Sequence, residues 1–187
     1  MELIDKVYVD MYDTMRVSNE LIQKLRDILT SIKDNNGFIE MSKKLLIQDL
    51  AILNILIYEV VEVVHNSNDK LRILLNSTLS DVSLKIKKCY AVHTDINTIL
   101  KMSEGIKKFI TNKIISVDNP MGKCIADTDI YFINNNLKKI NDIFIAMDND
   151  LLIKKSLVVE LYENIMYSKD NDKDEILILK HMFQLNK

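Results

Sequence analysis

Residues 45–64 read Leu-Leu-Ile-Gln-Asp-Leu-Ala-Ile-Leu-Asn-Ile-Leu-Ile-Tyr-Glu-Val-Val-Glu-Val-Val, and their pattern decides the fold class. Wound as a helix at about 100° per residue, the stretch gathers Lys44, Gln48, Glu59, Glu62 and Asn66 into one narrow polar sector. Leu45, Leu46, Leu50, Leu53, Leu56, Ile57, Val60, Val61 and Val64 cover most of the rest. A helix that is apolar on nearly every side must be surrounded by other helices or by lipid. Lipid is disfavoured, because a charge near the bilayer centre costs roughly 2.5–3.5 kcal/mol and this stretch carries Glu59 and Glu62. The expectation is therefore a soluble all-α bundle of five to seven helices, with residues 40–65 as its central hydrophobic helix.

The flanking sequence supports that class. Residues 3–33 place Ile4, Tyr8, Met11, Met15, Ser18, Ile22, Leu25, Leu29 and Ile32 at alternating spacings of four and three, the seam of a long helix packed at a shallow angle. Gly37, after Asp34-Asn35-Asn36, is expected to close that helix. Asn66-Ser67-Asn68-Asp69 is expected to end the central helix and cap the next. A third stripe runs through Leu75, Leu79, Val82, Ile86, Cys89, His93, Ile96 and Leu100. A break is expected at Ser103-Glu104-Gly105, then a short helix carrying Ile106, Phe109, Ile110 and Ile114. Asp118-Asn119-Pro120-Met121-Gly122 is the strongest punctuation, so the single domain over 1–187 is expected to subdivide, if anywhere, near 116–123. Ile130, Ile133, Leu137, Ile140, Phe144 and Met147 form a further stripe, with a break expected at Asp148-Asn149-Asp150 and resumption over 151–167. Residues 175–183 are expected to form a short helix around Ile176, Leu179 and Phe183, with an edge strand as the alternative.

Composition narrows the function classes. Three glycines, one proline and no tryptophan among 187 residues disfavour hairpin-rich folds and glycine-built phosphate loops. The absence of tryptophan also excludes the Asn-Trp-Gly-Arg signature of Bcl-2-like helical folds. With 25 basic and 27 acidic side chains interspersed, there is no basic footprint for nucleic acid and no cationic amphipathic stretch for a membrane surface. Two cysteines do not make a disulfide framework, and the N-terminus lacks a signal-peptide pattern. These observations predict a cytoplasmic protein, in the host cytoplasm if the chain is viral.

The sharpest chemical pattern is Glu59-Val-Val-Glu62-Val-Val-His65, because Glu-x-x-His places a carboxylate and an imidazole one helical turn apart, as di-iron bundles do. A complete site needs a second copy, yet His93 and His181 have no Glu three residues earlier. Glu160 and Glu163 fall on a solvent-facing stripe. The simpler reading makes Glu59 and Glu62 an exposed seam and His65 a favourable charge near a helix end. Cys89 and His93, four apart on an apolar stripe, are expected to be core residues rather than a thiol–imidazole pair. Asp49 and Asn54 lie off the polar seam and need partners.

The resulting expectation is a non-catalytic bundle that acts through protein–protein binding, with no cofactor, a protein partner and homo-oligomerisation open. The alternatives are a metal-binding bundle or enzyme using Glu59, Glu62 and His65, and a sensor of a small apolar ligand.

Overall fold

The computed structural model describes residues 2–31, 37–77, 81–114 and 127–167, with side chains over 9, 12–30, 44–77, 81–114 and 129–167. Four helices account for nearly all of them: α1 (Glu2–Ser31), α2 (Gly37–Asn76), α3 (Val82–Lys113) and α4 (Asp127–Met166). No strand occurs among the described residues, and no described helix is long and apolar enough to cross a membrane.

Each helix buries one residue every three or four positions. On α2 the row is Leu46, Leu50, Leu53, Ile57, Val60, Val64, Ser67, Leu71 and Leu74; on α1 it is Met15, Ser18, Ile22, Leu25 and Leu29. A 3–4 repeat keeps one seam turned toward a neighbour only when helices cross at a shallow angle. The many β-branched residues contribute little intrinsic helix propensity, so the helices depend on burying these seams together. α1 packs on α2, α2 on α3, α3 on α4 and α4 on α1, which makes a ring of four around one core.

Charged pairs report the directions. Asp49, early in α2, meets Lys113 at the end of α3 (2.6 Å), and Lys70, late in α2, meets Asp95 (2.6 Å). Lys107, late in α3, pairs with Asp148 midway along α4, and Cys89 near the start of α3 neighbours Tyr162 near the end of α4. Tyr12 and Met15, in the first half of α1, face Tyr58–His65 in the second half of α2. Neighbours are therefore antiparallel, and α2 and α4 run parallel at opposite corners. Asp81 caps α3 by accepting from the Leu84 backbone N–H at 3.1 Å, where an aspartate also suits the positive end of the helix dipole.

The architecture corrects several expectations. α2 is one of four comparable helices, not a centre surrounded by the others: Leu45, Ile52, Ile55 and Tyr58 on its outer face are about half exposed. The described residues form four helices rather than five to seven, because three expected breaks lie inside helices. Asn66–Asp69 continues α2, since Ser67 and Asn68 are core positions and Leu71 and Leu74 extend the buried row beyond them. Gly105 sits in α3 without breaking it. A lone glycine costs about 1 kcal/mol in a helix, and Ile99, Ser103, Ile106 and Ile110 are buried around it. Asp148–Asp150 continues α4, where Asp148 is held by Lys107. Gly37 opens α2 instead of closing α1. Residues 175–183 and 116–123 lie outside the described residues; the helices on either side of 116–123 share one core.

Candidate functional site: the outer face of α2 and a buried polar layer

The outer face of α2 carries a second row with the same 3–4 spacing as its core. Leu45, Gln48, Ile52 and Ile55 lead into Glu59, Glu62 and Asn66, and all are exposed. Leu45 is 51% exposed, Ile52 49%, Ile55 58% and the neighbouring Tyr58 58%. The row arises because the apolar residues of 45–58 extend around most of the helix, while a four-helix ring covers only part of each member. Lys44 stands at one end of the apolar stretch and Glu59 and Glu62 at the other.

Beside this face lies an open groove between α1 and α2 of about 260 Å³, lined by Tyr12, Met15, Tyr58, Val61, Glu62, Val64 and His65. That volume is below the roughly 300–1,000 Å³ of sites that enclose a drug-sized ligand. It suits one or two side chains of a partner.

The structure brings Glu62 and His65 to the rim of this groove and leaves Glu59 on the exposed face. His65 Nε2 lies 3.6 Å from Asp69 Oδ2, both half exposed. Among the described residues no group of three or more His, Cys, Asp or Glu side chains is placed to hold a metal. Glu160 and Glu163 are exposed on α4.

A second feature is internal. Lys154 sits on the buried row of α4 and its Nζ donates to Asn68 Oδ1 at 2.6 Å, reaching from one corner of the ring to the opposite one. Asp150 Oδ2 lies 3.8 Å from the same nitrogen. Burial pulls the ammonium down from 10.5 to about 8, and Asp150 offsets part of that shift. Ser67 and Ser103 are buried too, and their hydroxyls have no hydrogen-bond partner among the described residues.

Comparison with protein-family models, with curated proteins and with solved structures finds no match to this chain.

Cys89 and His93 are both fully buried on α3. Burial pushes the Cys89 thiol up to about 11, which leaves almost no thiolate at neutral pH. The Asn97 amide nitrogen lies 3.3 Å from His93 Nδ1. An amide N–H only donates, so Nδ1 is the acceptor and a neutral ring carries its proton on Nε2. Asp49 finds its partner in Lys113 of α3, and Asn54 is half-buried. Sequence reasoning missed Lys154, and read Asn68 as part of a helix break rather than as its buried partner. The available signal was spacing: Lys154 stands three residues after Leu151 and four before Val158, in line with the stripe.

Proposed function

We propose that this protein works through protein–protein contact, with no catalysis of its own, and that the outer face of α2 is the contact surface. The observation that carries the reading is the row Leu45, Ile52, Ile55 and Tyr58, half exposed at a spacing suited to receiving another helix. Four large apolar side chains half exposed along one helix face, interrupted only by Gln48, are a cost in water, and a helix needing only one buried seam has no packing reason to carry a second. Tyr12 and Tyr58 flank the adjoining groove, and tyrosine is among the residues that most often anchor interfaces. Charge gives the chemistry of the other side: it presents an apolar helical row with a basic group toward Glu59 and Glu62.

Site-specific photo-crosslinking in the native cell tests this. A benzophenone side chain at Tyr58 is expected to yield a protein adduct, while the same group at exposed Lys138 on α4 yields none. Absence of any protein adduct from Tyr58 refutes the reading. The adduct's mass separates a foreign partner from a second copy of this chain.

A further inference from the structure

Resting on the contact surface just described, we infer that the outer face of α2 docks antiparallel on the same face of a second copy, about a two-fold axis passing near Ile52. Two features select this occupant. The row has core-like spacing, so two copies can interdigitate as a coiled-coil seam. A two-fold interface needs a self-complementary patch, and the charges supply one. Lys44 stands eight positions before Ile52, and Glu59 seven after it, so an antiparallel pair sets Lys44 of each copy against Glu59 of the other. A parallel pair would instead align Lys44 with Lys44 and the glutamates with each other, which like-charge repulsion opposes.

The remaining positions agree. The axis falls between Ala51 and Ile52, so the two Ile52 side chains flank it, and Gln48 falls opposite Ile55, where one polar residue on a seam fixes register. Tyr58 covers Leu45. The four large side chains offer on the order of 400 Å² of apolar surface per copy, against roughly 800 Å² per partner in a standard interface. An interface this small belongs to the weak, transient class.

Sedimentation velocity from 5 to 500 µM tests it on the full chain. The wild type is expected to pass from monomer to dimer across that range. Ile55→Glu should weaken association at least tenfold, and Lys44→Glu several-fold, while Lys44→Glu with Glu59→Lys restores it to within about threefold. All three positions are exposed, so a circular-dichroism melt should match wild type in each variant. In a Cys124→Ser background, Ile52→Cys should oxidise to a covalent dimer and Ile73→Cys should not. A wild type monomeric to 500 µM overturns the inference, as does a dimer indifferent to Ile55→Glu. A benzophenone adduct at Tyr58 with a foreign protein alone would overturn it while leaving the protein-contact reading intact.

Discussion

Replacing Lys154 with methionine should stabilise the protein at neutral pH. The ammonium is buried in the core, and its protonation equilibrium is pulled down from 10.5 to about 8. At 1.36 kcal/mol per pH unit, keeping that charge in the folded protein costs about 3 kcal/mol relative to a neutral side chain. Methionine keeps an unbranched stem of similar length without the charge. The substitution also removes the donor to Asn68 Oδ1, which costs about 1–2 kcal/mol for a buried acceptor. The net expectation at pH 7 is a gain of about 1–2 kcal/mol, in line with other buried charges replaced by apolar residues.

The sign with pH follows from linkage. The folded-state value lies below the unfolded one, so between about 8 and 10.5 the unfolded chain binds the extra proton and wild-type stability rises with pH. Below about 8 both states are protonated and the full penalty applies. The difference between wild type and Lys154→Met cancels every other titrating group. Urea denaturation at pH 7, 8, 9 and 10 should show that difference shrinking by about 2–3 kcal/mol and changing sign, because at high pH the neutral lysine amine retains its bond to Asn68. Parallel profiles would refute the reasoning. So would a variant destabilised by 3 kcal/mol at pH 7, which would make the buried charge a net contributor to the fold.

Gly105→Ala should raise stability by about 0.5–1 kcal/mol, read as a thermal shift of a few degrees, because Gly105 is exposed within α3 and an added Cβ meets nothing within 4 Å. Cys89 should alkylate at least a hundredfold more slowly in the native protein than in urea at pH 8, measured with iodoacetamide in a Cys124→Ser background, since its thiol is buried and shifted up to about 11. Leu53→Asp, at a fully buried position, should abolish the cooperative melt. Leu56→Asp, half-buried at the edge of the core, should lower the melting temperature but keep the transition.

What the sequence made legible was the seams. Of the α1 row, the described part, Met15, Ser18, Ile22, Leu25 and Leu29, is what the fold buries, serine included, while the side chains of Ile4, Tyr8, Met11 and Ile32 lie outside the described residues. Periodicity also placed Cys89 and His93 in the core and Glu59 and Glu62 on the outside. What it hid was continuity. Asn66-Ser67-Asn68-Asp69 and Asp148-Asn149-Asp150 carry the residue types that cap and break helices, because their short side chains compete for backbone groups. That local preference is worth a few tenths to about 1 kcal/mol per residue, and tertiary partners outweigh it: Lys154 engages Asn68, and Lys107 engages Asp148. Both partners are lysines far away in the chain, invisible to a window of a few turns.

The same physics explains why the sequence of α2 reads as a centre. An all-round apolar helix can mean three neighbours inside one chain, or two neighbours and a partner outside it. Hydropathy gives the same signal for both, since it reports how much surface needs covering and not what covers it. In the folded ring α1 and α3 cover two sides of α2, and Leu45, Ile52, Ile55 and Tyr58 remain on the third. The surplus apolar surface that made 45–64 look buried is therefore the strongest pointer to a partner, and Lys44 and Glu59 at its two ends are what point to a second copy.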